Sequence, residues 1–178
     1  MKALIQRVMN ASVTVNGEII SSIEQGVCVL IGICNNDTVK DMEYIVKKIL
    51  SIKIFDDGTN KRWKKNVVES QFEVLCVSQF TLYNTWKGTK PDFHHAMPGE
   101  KSKEFYEKFL QMLRDQYKPD KIKDGEFGAY MQVCIQNDGP VTFAIESPIK
   151  EQDKSHKGDA KKSSLVNSNE NVLDDCKS

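Results

Sequence analysis

The sequence predicts an α+β fold that is richer in strand than in helix, and three features carry that expectation. Two segments repeat apolar residues at three- and four-residue steps, many short runs are β-branched or alternate, and a two-residue hairpin turn stands near the N-terminus. The 178 residues, 39% of them hydrophobic, suit one ordinary core.

In chain order, Leu4–Val8 and Ala11–Val15 read as strands. Asn16-Gly17 then marks a tight turn into Glu18-Ile19-Ile20, because both turn positions need positive φ. Gly26 leads into Val27-Cys28-Val29-Leu30-Ile31, a continuous apolar run expected to be a central strand buried on both faces. Asn36 or Asp37 is placed to cap a helix over about 38 to 51, with Val39, Met42, Val46, Ile49 and Leu50 on its apolar face. Ile52–Phe55 and Val74–Val77 look extended. A second helix should start near Pro98-Gly99-Glu100, bury Phe105, Phe109, Met112 and Leu113, and end before Pro119. Met131, Val133 and Ile135 alternate with polar residues, Asn137-Asp138-Gly139-Pro140 interrupts as a hairpin turn, and Val141, Phe143 and Ile145 resume the alternation.

From Ile149 onward aromatic residues stop, and lysines balance acids in a polar stretch that cannot bury enough to offset its ordering entropy. One domain over residues 1–148 and a disordered polar tail over 149–178 are therefore expected. Lysine plus arginine number 25 and aspartate plus glutamate 25, so the formal charge is zero and a polyanion would have to be held by a local patch. The longest apolar run, Val27 to Cys34, is far short of the roughly 20 residues of a bilayer-crossing helix. No membrane partner is expected, and the cytoplasm is the expected compartment.

Triphosphate, dinucleotide and zinc-protease signatures are missing. Five cysteines form no C-x-x-C pair, and Cys28, Cys34, Cys76 and Cys134 sit in apolar runs where a thiol behaves as a small hydrophobe. His94 and His95 are adjacent and offer at most two ligands, so neither a metal nor another cofactor is expected.

Two segments have chemical possibilities. Ser78-Gln79-Phe80-Thr81-Leu82 ends an apolar strand, and a chain turning outward there can leave backbone N–H groups free to form an oxyanion hole. Gly139-Pro140 is an Xaa-Pro bond, where a cis peptide costs only about 0.5–1 kcal/mol and can hold a carbonyl outward as an acceptor for an ammonium group. Lysines gather at Lys61-Arg62-Trp63-Lys64-Lys65 and at Lys87, Lys90, Lys101 and Lys103, with Trp63 and Trp86 among them, a composition compatible with single-stranded RNA.

Ser78-Gln79-Phe80-Thr81-Leu82 and Asn137-Asp138-Gly139-Pro140-Val141-Thr142 match the paired motifs S-Q-F-T-L and N-x-G-P-V-T. With Gln6-Arg7-Val8, Lys90-Pro91-Asp92-Phe93-His94 and Phe127-Gly128-Ala129-Tyr130-Met131, they make residues 1–148 resemble the D-aminoacyl-tRNA deacylase family. The resemblance implies a β-barrel-like homodimer with helices outside, acting on D-aminoacyl-tRNA or mischarged glycyl-tRNA. It further implies that Gly139 and Pro140 screen chirality from across the dimer, braced by Arg7. Phe80 and Thr81 would supply the oxyanion hole beside Ser78 and Gln79, and Ala129 and Met131 would contact substrate. The competing class is a non-catalytic nucleic-acid-binding module using Lys61–Lys65; a hydrolase using Cys76 or Cys134 as nucleophile is disfavoured because neither has a nearby base.

Overall fold

A computed structural model describes residues 1–59 and 61–148, and the expected tail at 149–178 lies outside the described residues. The chain runs β1 (Lys2–Val15), β2 (Glu18–Ile23), β3 (Gly26–Gly32), α1 (Val39–Ser51), β4 (Glu73–Ser78), a 3-10 helix (Phe80–Tyr83), β5 (Thr85–Lys87), β6 (Lys90–Asp92), α2 (Gly99–Gln116), a 3-10 turn (Pro119–Lys121), β7 (Ile122–Asp124) and β8 (Gln132–Glu146). The main sheet has the order β2-β1-β3-β4-β7, with β8 added to β1, while β5 and β6 form a separate ribbon. β2 comes into contact with β7, so the sheet is nearly closed, barrel-like, with two helices. Among the described residues no helix is long and apolar enough to cross a membrane.

The central strands explain the continuous apolar run. On β3, Val27, Val29 and Ile31 face the cluster that includes α1 and α2 residues, whereas Cys28 faces a second cluster inside the curved sheet. On β4, Val74 and Cys76 face the helices and Leu75 and Val77 the interior. Each strand thus buries both faces, which period-2 alternation permits only if every position is apolar. The two strands run parallel and start at a very close approach: a Cβ on Gly26 would lie 2.0 Å from the Glu73 carbonyl oxygen.

Several expectations need correction. The two N-terminal strands are one, β1, which pairs with β3 along its first half, β2 along its second, and β8 along nearly all of its length. Asn137–Pro140 is not a hairpin turn, because β8 continues through it; between the pairs Gln6↔Thr142 and Val8↔Asn137, Arg7 alone faces Asp138 to Val141. A second irregularity leaves Met9 unmatched between Val8↔Asn137 and Asn10↔Gln136. Each bulge inserts an odd number of extra residues and so exchanges the two faces. Accordingly Ala3 and Ile5 face the helix-side cluster while Ala11, Val13 and Val15 face the interior, and on β8 Val141, Phe143 and Ile145 pack on the former, Val133 and Ile135 on the latter.

Ile52–Phe55 is not a strand either. Ile54 and Phe55 are buried in the core, and both their N–H groups donate to the Lys65 carbonyl at 3.1 and 3.0 Å, leaving only an isolated bridge between Phe55 and Lys65. On α2 the buried residues are Tyr106, Phe109, Leu110 and Leu113; Phe105 and Met112 flank that stripe half-buried. Val39 of α1 is exposed, with Ile45 buried in its place. Cys28 and Cys76 are buried, and burial pushes the Cys28 thiol up to about 12, but Cys34 is only half-buried and Cys134 points out from β8.

Thr38, not Asn36 or Asp37, caps α1, because Asp41 in the first turn can turn back to it. The Thr38 N–H and hydroxyl donate to Asp41 Oδ2 at 2.8 and 2.7 Å, and the Ser147 hydroxyl donates to Asp41 Oδ1 at 2.8 Å. Burial disfavours the charged carboxylate, but these hydrogen bonds outweigh it and bring the Asp41 pKa down to about 2. A carboxylate depressed in this way stabilises the fold above its unfolded pKa of ~3.9, and the contribution is lost as pH falls toward that of the folded state. Thr38→Ala is expected to cost about 1 kcal/mol at neutral pH and to reduce the loss of stability between about pH 4 and about pH 2, as measured by melting curves across that range.

Candidate functional site

At the end of β4 the Gln79 N–H donates to the Ile31 carbonyl at 2.7 Å, extending the pairing with β3 by one step before the chain turns into the 3-10 helix Phe80–Tyr83. The first N–H groups of a helix have no partner within it. Among the described residues neither the Phe80 nor the Thr81 N–H donates a hydrogen bond, whereas Leu82 donates to the Gln79 carbonyl at 3.2 Å. The turn sits close over β3 because residue 32 is glycine; a Cβ there would lie 2.9 Å from Leu82 Cβ. Thr81 does not present a free hydroxyl: its Oγ1 accepts from Gln79 Nε2 at 2.6 Å, and its carbonyl accepts from Asn84 Nδ2 at 2.8 Å.

Beside this turn is a cavity of about 420 Å³, walled by Ser78, Gln79 and Phe80 together with Phe93, Ser102 and Phe127. Phe93 and Phe80 meet edge to face with centroids 5.1 Å apart. Gly99, the first residue of α2, also lines the space. No lining residue carries a titratable side chain. Such a cavity can hold an apolar group and present backbone donors at its rim, but its walls offer no side-chain base. Among the described residues no cluster of three or more histidine, cysteine or acidic side chains could hold a metal.

Gly139 and Pro140 lie elsewhere on the same chain, exposed on the β8 bulge, and they do not line this cavity. The Gly139–Pro140 peptide is cis and Gly139 has φ +114°, in the range that favours glycine. A Cβ on Gly139 would meet Val141 Cγ2 at 2.9 Å and Arg7 Nη2 at 3.1 Å. Arg7 fills the break in the ladder: Nε lies 3.0 Å from Asp138 Oδ2 and donates to the Asp138 carbonyl at 3.3 Å, and Nη1 donates to the Ile54 carbonyl at 2.5 Å. One guanidinium therefore joins the bulge to the buried Ile54-Phe55 segment. Ala129 and Met131 are half-buried against the interior cluster and do not line the cavity, although their neighbours Phe127 and Gly128 do.

Phe93, Ser102 and Phe127 were not singled out as site residues by pattern. Phe93 and Phe127 belong to stretches that carry the family resemblance, and that was the available signal; Ser102 gave none. The two tryptophans separate. Trp63 packs edge to face on Phe143 at 5.7 Å, whereas Trp86 lies exposed on the β5–β6 ribbon.

The model of the family described as D-Tyr-tRNA(Tyr) deacylase matches residues 4–146. A Bos taurus protein named D-aminoacyl-tRNA deacylase 1 is 59% identical over 148 residues, covering 83% of this chain and 71% of that one. A Saccharomyces cerevisiae D-aminoacyl-tRNA deacylase is 48% identical over 148 residues, covering 83% and 99%. Among solved structures, one described as "c-Myc DNA Unwinding Element Binding Protein" aligns with a TM-score of 0.81 at 58% identity, covering 84% of this chain and all of that chain. Another, described as a probable eukaryotic D-amino acid tRNA deacylase, aligns at 0.69 with 18% identity, a likeness of fold.

Replacing Arg7 by methionine keeps the length of the side chain but removes the donors. Arg7→Met is expected to lower stability by about 1.5–3 kcal/mol, the worth of a hydrogen bond to a charged group, and to speed amide exchange across residues 138–141. Urea denaturation and hydrogen exchange measure the two effects.

Proposed function

This chain belongs to the D-Tyr-tRNA(Tyr) deacylase family, and on that premise we propose that it hydrolyses the ester joining a D-amino acid, or mischarged glycine, to tRNA. The supporting observation is the pair of unpartnered N–H groups at Phe80 and Thr81 beside a cavity without a titratable wall. Two adjacent backbone donors can hold the oxyanion that develops on the ester carbonyl. Ser78 and Gln79 shape the same rim, and Gln79 occupies the Thr81 hydroxyl. Water attacks the ester carbonyl as its bond to the ribose oxygen breaks, and the substrate's own 2′-hydroxyl passes a proton from the water to that departing oxygen, since no lining side chain can take it.

In this scheme the enzyme is a homodimer, and the bulge of one copy reaches the cavity of the other. The Gly139 carbonyl accepts the substrate's α-ammonium group, Pro140 and Arg7 fix the carbonyl in place, and Ala129 and Met131 support the pocket from behind. With the ammonium and the ester carbonyl both held, the two remaining substituents on Cα are ordered in space. The D side chain points outward and the L side chain runs into the Gly139-Pro140 backbone, a steric exclusion that needs no side-chain contact.

A second proposal is a nucleic-acid-binding module without catalysis, favoured by the description of the 58%-identical structure and by the cationic Lys61–Lys65 segment. There the affinity would be salt-sensitive and no ester would be cleaved.

Deacylation of D-tyrosyl-tRNA and L-tyrosyl-tRNA, assayed side by side, separates these possibilities; release of D-tyrosine with the L-ester intact is expected. In the same assay Thr81→Ala should keep most of the rate, and a loss of several orders of magnitude would make its hydroxyl the catalyst. Gly139→Ala should lower turnover of the D-substrate steeply, since the methyl meets Val141 and Arg7 and intrudes on the ammonium site, while circular dichroism shows the fold retained.

A further inference from the structure

The β5–β6 ribbon is built into the cavity wall at both ends. It begins directly after the 3-10 helix that carries Phe80, through Asn84, and it ends at Phe93, whose ring packs on Phe80. Its register pairs Trp86 with Pro91 and Lys87 with Lys90, so Trp86 and Pro91 share one face of the ribbon and the two lysines the other. Trp86 is 67% exposed, and among the described residues its ring has no aromatic neighbour or cation above it. Burying a tryptophan is among the larger apolar gains open to a side chain. Here that gain is left unused on a short ribbon whose only acid, Asp92, is already engaged by Lys87 and His94. Lys90, at the ribbon tip, has no acidic partner among the described residues.

A flat indole, a proline beside it and a spare cation fit the chemistry of an unstacked nucleotide: a base laid on the ring and a phosphate near the ammonium. Pro91 stands two residues before Phe93, about 7 Å of strand rise, so the platform lies next to the cavity that would hold the terminal ester. We propose that the β5–β6 ribbon is a stacking platform for the unpaired nucleotides just upstream of the tRNA's terminal adenosine, with Trp86 under a base and Lys90 beside the backbone. This rests on the deacylase function proposed above. It assigns the ribbon a part in holding the polynucleotide, separate from the cavity that holds the aminoacyl group.

The test uses the full chain and two substrates, D-tyrosyl-tRNA and the D-tyrosyl ester of adenosine alone, which lacks the upstream nucleotides. Trp86→Ala is expected to raise KM for the tRNA about 5- to 150-fold, which is ~1–3 kcal/mol for one stacked base converted at 1.4 kcal/mol per decade. Trp86→Phe should restore most of that loss, and the tRNA effect should be absent with the adenosine ester. An unchanged KM for tRNA, or an equal loss on both substrates, overturns the platform, as does a Trp86→Ala protein whose only change is its monomer–dimer equilibrium in sedimentation. A parallel binding arm compares uncharged tRNA with the same tRNA trimmed of its unpaired 3′ nucleotides. If the wild-type protein cleaves neither ester, the deacylase function fails. The platform is then decided by whether Trp86→Ala abolishes the preference for the untrimmed tRNA, which supports it, or leaves that preference intact, which overturns it.

Discussion

The pairing of β1 with β8, and the manner in which it is interrupted, is the constraint on which the rest of the molecule depends. Two strands of fourteen and fifteen residues that bury mainly every second side chain cannot serve two cores on opposite sides of a curved sheet if that alternation is unbroken. The interruptions at Met9 and at Asp138–Val141 solve this by exchanging faces midway, so that one strand pair closes the helix-side core and then the interior core. The guanidinium of Arg7 stands where the ladder is lost and replaces it with bonds to Asp138 and Ile54. Removing ladder bonds from a sheet normally leaves buried polar groups to be satisfied, and here one charged side chain supplies donors at that break.

The cavity follows from a similar trade at the end of β4. A strand that stops by turning into a 3-10 helix leaves its first N–H groups without partners, and a glycine at position 32 lets that turn lie against β3. The unpaired donors are thus produced by ordinary backbone geometry, with no side-chain acid or base in the wall. The chemistry a site of this kind supports is the polarisation and orientation of a carbonyl.

Much of this was legible in the sequence, for identifiable reasons. The apolar run at Val27–Ile31 and the periodicity of both helices are local signals of burial, and they identified the central strand and the two helices. Asn16-Gly17 identified the first turn, and both residues adopt positive φ. What misled was also local: Asn137-Asp138-Gly139-Pro140 has the composition of a hairpin turn, but tertiary pairing with β1 carries the strand through it. The odd-numbered apolar residues on its two sides look like one face and occupy two. Of the two motifs, Ser78–Leu82 falls on the turn whose first residues line the cavity, and Asn137–Thr142 falls on the β8 bulge, apart from it. Phe93, Ser102 and Phe127 enter the wall only through the three-dimensional approach of the ribbon, of α2 and of the loop before β8, which no spacing along the chain encodes.

The face exchange also limits how this protein can change its length over evolution. Gaining or losing a single residue in either bulge would turn every later side chain of that strand to the wrong side, taking Ala11 and Val13 of β1 out of the interior core, or Phe143 and Ile145 of β8 off the helix-side core. Insertions and deletions there are tolerable only in pairs, or when matched by a compensating slip in the other strand. Drift in that part of the molecule should therefore proceed by substitution, with segment length held fixed long after the surface loops have diverged.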